Sequence, residues 1–214
     1  QEPKFKDLEA PIQVLKNWNY YSNVNSVATT LANEWAFKLN PILQKVYIDE
    51  GEKDQVENMT EFAKTAGIDD MLPQLREVIQ ELQTKFGKWE IPWGDINRFQ
   101  RPSGDIDLTY DDNKESLAMG TASVLWGSLP AFKSSYQNNS KKRYGYNGNS
   151  FICAVEFGPK IKAKSLLAGG NSGDPNSKHF FDQAKMYQNA QFKDVLFYKE
   201  DVQKNAEKTY HPGE

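Results

Sequence analysis

The chain has 214 residues, of which 38% are hydrophobic, 26% charged and 13% aromatic, with a formal net charge of −3. That is a globular composition, and its slightly acidic balance gives no general affinity for nucleic acid. No run approaches the roughly 18 apolar residues of a membrane span, and a single cysteine, Cys153, excludes an internal disulfide and a cysteine-based zinc cluster.

From Leu8, the residues Leu8, Ile12, Leu15 and Trp18 recur at helical spacing, with Pro11 in the first turn. Asn25 or Ser26 caps a second helix, in which Val27, Leu31, Trp35 and Leu39 follow strict i+4 steps. Pro41 breaks or restarts the chain, and Ile42 to Ile48 continues helically into the polar stretch 49–58. Thr60 and Glu61 open a short helix that Gly67 ends. Asp69 or Asp70 caps a long helix with a stripe of Leu72, Leu75, Ile79, Leu82 and Phe86, closed by Gly87. Residues 1–87 therefore read as a helical segment.

Composition changes after Gly87, and residues 88–214 read as a mixed strand and helix segment. Trp89-Glu90-Ile91-Pro92-Trp93-Gly94 is an aromatic turn. Strands are expected around Ile96–Gln100, Ser123–Trp126, Phe151–Phe157 and Ile161–Leu167, the last two joined by Gly158-Pro159-Lys160 as an antiparallel pair. Their long apolar runs predict burial on both faces, with Cys153 an inert packing residue. Lys133–Asn149 reads as an exposed loop, with Lys141-Lys142-Arg143 solvated. Asn58-Met59-Thr60 and Asn138-Asn139-Ser140 fit the glycosylation pattern, which chance also produces. The tail returns to helix at Lys199–Lys208. The whole is α+β, and its few buried strands need covering layers or further strands.

The most informative stretch runs from Gly169 to Gln183, between a strand-like Ser165–Ala168 and a helix-like His179–Tyr187. Three glycines and Asp174-Pro175 make it a strand–loop–helix junction, a place where function often sits. A phosphate cradle lacks the Gly-rich spacings that phosphate loops use. A metal or triad site would be built on Ser177, His179 and Asp182, of which His179 and Asp182 share a helix face. With His179 and His211 as the chain's two histidines, little remains for a histidine-based metal site. The structural alternative is that Asp182 or Gln183 hydrogen-bonds backbone donors of the loop.

Gly169-Gly170-Asn171-Ser172-Gly173-Asp174-Pro175-Asn176-Ser177-Lys178-His179-Phe180-Phe181-Asp182-Gln183 also resembles the C-terminal signature of the penicillin acylase family. Asn171 stands where the family has glutamine, and Lys178 where it has proline. Trp93-Gly94-Asp95-Ile96-Asn97-Arg98-Phe99 resembles the family's Trp-Gly-Asp-Val-His-Arg run, with Asn97 for histidine. Gly148-Asn149-Ser150-Phe151 and Val195-Leu196-Phe197-Tyr198-Lys199-Glu200-Asp201-Val202 resemble two further family stretches, in the same order. Together the matches cover residues 8–205.

The resemblance implies an N-terminal nucleophile hydrolase with a four-layer αββα core. In that family a serine opening the larger chain attacks an acyl amide, such as a penicillin, an acyl-homoserine lactone or a lipopeptide. Its own α-amine is the base, suited by its ordinary value near 8. The nucleophile and the oxyanion-hole asparagine both lie upstream of the part matched here. No catalytic, cofactor-binding or metal residue is therefore carried over, and Gln1 cannot serve as nucleophile. The chain reads as the C-terminal portion of the larger chain, an incomplete fold inactive alone. Its partners are the smaller chain and the N-terminal part of the larger chain, and the whole enzyme takes a small acyl-amide substrate. Neither nucleic acid nor a membrane is a partner. A periplasmic or secreted location follows from the resemblance; no signal peptide is visible, as in a trimmed chain. The runner-up is a non-catalytic carbohydrate- or peptide-binding module, its stacking platform built on an exposed Tyr144-Gly145-Tyr146.

Overall fold

The structure, a computed structural model, describes residues 3–50, 55–103, 109–123, 126–128, 130–137, 140–211 and 213. It is α+β, about 40% helical, with helices in the first half and strands after. The chain divides into two compact units, one of Gln1–Gln100 with Tyr110–Tyr146, the other of Arg101–Thr109 with Asn147–Glu214.

The first unit begins with a 3-10 turn, Pro3–Leu8, and the helices α1 (Glu9–Lys16), α2 (Val27–Glu50), α3 (Gln55–Thr65) and α4 (Ile68–Phe86). Ser26 is the cap of α2: its Oγ accepts from the Thr29 backbone N–H at 3.0 Å. Pro41 does not break α2, which runs on to Glu50. The side chains before it, Leu31 and Leu39, are buried, so tertiary packing holds the helix against the local cost of proline. Helix α3 starts earlier than Thr60 and ends before Gly67. At α4, Asp70 acts within the first turn, its carboxylate accepting from the Gly67 N–H at 2.9 Å. Gly87, at φ 78, closes α4 in the left-handed region, its N–H reaching the Gln83 carbonyl.

The expected stripe of α4 is buried along Leu75, Ile79 and Leu82, joined by Val78. These pack with Phe5, Leu8, Leu31, Ile91 and Ile96 into one core. Trp35 Nε1 donates to the Met71 carbonyl at 3.0 Å, tying α2 to α4. The Asn58 glycosylation pattern is closed off, because Asn58 sits in α3 and is buried.

A four-stranded sheet completes this unit. The short helix α5 (Trp93–Ile96) leads into β1 (Asn97–Phe99), and β2 (Leu117–Ala118), β3 (Phe132–Tyr136) and β4 (Arg143–Gly148) follow, in the order β2-β1-β4-β3. β1 is antiparallel to β2 and parallel to β4. The Ser123–Trp126 strand expected from sequence includes Val124 and Leu125, which lie outside the described residues, as do Asn138 and Asn139 of the second glycosylation pattern.

Two expectations for Lys133–Asn149 are overturned here. The stretch carries most of β3 and all of β4, and Arg143 is buried rather than solvated. Its guanidinium meets the buried carboxylate of Glu34 on α2 at 3.2 Å and donates to the Ser134 carbonyl at 2.9 Å. It also lies over the rings of Phe37 and Tyr136, at 4.2 and 4.8 Å. A charge flanked by polar residues reads as exposed in sequence; a second charge 109 residues away makes its burial tolerable.

The second unit holds β5 (Phe151–Glu156), β6 (Lys162–Leu167), α6 (Ala184–Gln188), β7 (Lys193–Asp194) and α7 (Lys199–Lys204). β5 and β6 form the expected antiparallel pair, in register from Phe151↔Leu167 to Glu156↔Lys162. β7 pairs antiparallel with β6, leaving β5 at the edge of a three-stranded sheet. Burial on both faces does not hold. β5 is largely exposed, with Phe151 at 59% and Phe157, just past its end, at 84%. Cys153 is exposed too, not a buried packing residue. The physical reason is position: β5 has β6 as its one neighbour among the described residues.

Burial holds the Glu34 carboxyl above the ordinary glutamate value near 4.5, with Arg143 opposing the shift. A raised folded value means this group favours folding below about pH 4.5 and loses that contribution as pH rises through the folded value. Arg143→Ala strands the carboxylate and should cost about 3–5 kcal/mol near neutral pH. Urea unfolding at about pH 5 and about pH 8 checks it: the loss should be larger at the higher pH, and Glu34→Gln in the same background should remove that pH dependence.

Candidate functional site

The Gly169–Gln183 segment folds as a loop from the end of β6 into α6. Leu166 of β6 and Ala184 and Tyr187 of α6 are the buried apolar anchors on either side. The helix is shorter than the His179–Tyr187 run suggested: α6 starts at Ala184, and 179–183 is a series of turns.

Local hydrogen bonds explain the loop's polar residues. Asp174 Oδ1 accepts from the Asn176 N–H at 2.9 Å, and Ser172 Oγ from the Asp174 N–H at 3.0 Å. Ser177 Oγ accepts from the His179 N–H at 3.2 Å. The two arms of the loop are zipped by backbone bonds from Ser172 N–H to the His179 carbonyl and from Gln183 N–H to the Gly169 carbonyl, at 3.1 and 2.8 Å. That zipper requires glycine at position 170. A Cβ there would stand 2.0 Å from the His179 carbonyl oxygen and 2.8 Å from Asp182 Oδ1.

Neither Asp182 nor Gln183 holds the loop by a side-chain bond to its backbone. Asp182 Oδ2 instead hydrogen-bonds His179 Nδ1 at 2.7 Å, in an exposed side-chain pair. Gln183 is buried and its Nε2 reaches Asn171 Oδ1 at 3.4 Å, while its Oε1 has no partner. The backbone clamp is Arg101, which sequence reasoning missed. Its guanidinium donates to the carbonyls of Gly170, Ser172 at 2.9 Å, and Phe180, and lies 4.1 Å from the centre of the Phe180 ring. Sixty-nine to 79 residues separate Arg101 from these carbonyls, so no local pattern points to it. The available signal is chemical: a loop that turns several carbonyls inward needs a multi-donor cation.

As a reaction centre this loop is thin. Among the described residues, no serine or cysteine side chain bonds the His179 ring, and no cluster of His, Cys, Asp and Glu is placed to hold a metal ion. Ser172 and Ser177 spend their oxygens on backbone N–H groups. Lys178 is exposed.

The Trp93–Phe99 stretch, in the first unit, is built with comparable density. Gly94 sits where a Cβ would meet Val24 Cβ at 2.7 Å, and its N–H donates to the Val24 carbonyl at 2.8 Å. Arg98 donates to the Gly94 carbonyl at 2.8 Å and to Ser116 Oγ at 3.0 Å. Asn97 is fully buried and fully used: its Nδ2 donates to the carbonyls of Met119 and Thr121, and its Oδ1 accepts from Ser134 Oγ at 2.6 Å. A side chain with every bond satisfied internally is a framework residue, not a ligand.

A family model for penicillin amidase matches residues 2–204. The chain belongs to the penicillin amidase family. At the level of the family it is an acylase-type amidohydrolase. Both motif stretches fall within the match; Gly94 and Gly170 are held by close packing, and Arg98 by its bond to the Gly94 carbonyl. Of the platform of the binding-module reading, Tyr146 is exposed, but Tyr144 is fully buried, its ring stacked on Tyr110 at 4.9 Å and its hydroxyl on Asp112 at 2.9 Å. Gly145 beneath it admits the Phe132 ring, which a Cβ would strike at 2.1 Å.

Arg101→Ala should cost about 1–3 kcal/mol, since it takes donors from three inward carbonyls. Lysine should not rescue it, because one ammonium cannot copy the fork of a guanidinium. Asp182→Ala breaks an exposed pair and should cost under about 1 kcal/mol. Amide hydrogen exchange at Ser172 and Gln183 reads the difference: faster in Arg101→Ala, near wild type in Asp182→Ala.

Proposed function

We propose that this chain forms the C-terminal part of the larger chain of a penicillin-acylase-type enzyme, cleaving an acyl side chain from an amide with a nucleophile supplied from elsewhere in the protein. Candidate substrates are the acyl amides of β-lactams, acyl-homoserine lactones or lipopeptides, and the enzyme works in the periplasm or outside the cell. The chain's own part is structural: helices packed over a core, and the last strands of a larger sheet.

The observation that carries this reading is the surface of the second unit. Its buried apolar side chains are Leu166, Ala184 and Tyr187 among the described residues. Its exposed ones include Phe151, Val155, Phe157, Leu196, Phe197 and Val202. A unit that leaves more large apolar side chains in water than it buries gains too little from folding to stand alone. β5 adds an unpaired strand edge, which proteins normally cover. A further strand from the remainder of the same enzyme fits both needs, pairing with the backbone edge of β5 and covering Phe151 and Val155, two alternate positions that share one sheet face.

The chemistry agrees. An N-terminal nucleophile reaction joins a free α-amine and a nucleophilic side chain on one residue. The described serines and Cys153 are internal residues with no α-amine to act as base. Turnover of a chromogenic acyl amide is the test. The chain alone should show none, and the chain assembled with the remainder of the enzyme should turn over. Turnover by the chain alone that is lost in His179→Ala would overturn the reading and make the Gly169–Gln183 loop an active site.

A further inference from the structure

We propose that the first unit carries a second ligand site, a cleft of about 570 Å³ between the 18–22 turn, the flank of α2, and residues 121–122 and 126–128, which takes a neutral, flat aromatic molecule bearing a carboxamide. The volume lies in the range of small-molecule sites. It is built entirely within one unit and is separate from both motif stretches.

The lining sets the chemistry. Trp18, Tyr20, Tyr21 and Trp126 supply aromatic walls, and among the described residues no charged side chain lines the cleft. Aromatic walls favour a flat apolar ligand, and the lack of any counter-charge disfavours an ionised one, which would lose its hydration without compensation. Ala32 and Ala36 of α2 leave the floor open. Three lining residues carry polar atoms without a partner: the acceptor Asn33 Oδ1, the donor Trp126 Nε1, and the Thr121 hydroxyl. Asn33 is itself buried, at 6% exposure, and holds one bond, from Nδ2 to the Thr29 carbonyl. Buried polar atoms are normally paired, so unpaired ones of both kinds along one cleft call for a ligand that donates and accepts. A carboxamide does both. The orphaned atoms have essentially no exposed surface, so small side-chain rotations accompany binding.

The rim adds an independent observation. Tyr20 lies at φ 63, left-handed for a bulky residue, with its side chain 82% exposed. Such strain concentrates at functional sites. Here it presents the Tyr20 ring beside Trp18, centroids 5.5 Å apart, and the neighbouring Trp18 Nε1 ties down the Tyr21 carbonyl at 3.1 Å.

Indole-3-carboxamide, with indole-3-carboxylate as the charged control, probes the site by isothermal titration on the 214-residue chain and on the assembled enzyme. The carboxamide should bind saturably, with a Kd of about 1 mM or tighter, and at least about tenfold more tightly than the carboxylate. Tyr20→Gly removes a ring and relieves the positive φ, so it should fold and weaken binding by about fivefold or more. Ala36→Phe, which fills the floor, should abolish binding. Equal binding of the two probes, no saturable binding, or indifference to both variants overturns the proposal. So does binding to the isolated chain that vanishes in the assembled enzyme, since the cleft is then an interface for another protein segment.

Discussion

A strand at the edge of a sheet exposes half of its backbone donors and acceptors, and β5 also exposes apolar side chains. That debt shapes the second unit. The hairpin of β5 and β6 gives regular backbone pairing over six residues of each strand, but pairing alone does not exclude water from Phe151 or Val155. The buried side of the unit is narrow, centred where Leu166 meets α6. Arg101 and the Gly170 backbone approach do the remaining work, drawing the long loop back on itself so that α6 reaches β6.

The first unit solves a different problem. Its helical layer has a continuous apolar core, from Phe5 through Leu31 to Leu82. Glu34 of α2 meets Arg143 of β4, and within the sheet Asn97 of β1 bonds Ser134 of β3 and the carbonyls beyond β2. Such contacts contribute little net stability, because both partners lose water on burial, but they tolerate no mispairing. The first fixes β4 against α2, the second the order of strands within the sheet. Lys85 on α4 lies over the Tyr136 ring at 3.4 Å, where burial lowers its own tendency to hold a proton, and extends the same polar contact to a second helix.

The sequence was most legible where periodicity reports packing directly. The α4 stripe, the Ser26 cap, the Gly87 stop and the β5–β6 hairpin follow from local rules, and all are present. It was least legible where a residue's meaning depends on a distant partner. Arg143 read as solvated because Glu34 is far away in sequence; Tyr144 read as exposed because its neighbours are glycine and polar residues. Pro41 read as a break because the packing that retains it is tertiary. At the loop, the glycines and the Asp174-Pro175 turn were readable, while the clamp, Arg101, was not. The apolar run of β5 predicted burial correctly as a need and wrongly as an outcome, since nothing among the described residues covers it.

That gap between need and outcome is the central claim, and hydrogen exchange at β5 tests it most directly. Exchange of the Phe151–Glu156 amides would be followed by mass spectrometry in the chain alone and in the chain assembled with the proposed remainder of the enzyme. Amides directed away from β6 should be nearly unprotected in the chain alone and slowed by about a hundredfold or more on assembly. Equal exchange in the two states would mean that β5 stays an open edge in the enzyme, contradicting the account of this chain as the closing part of a larger sheet.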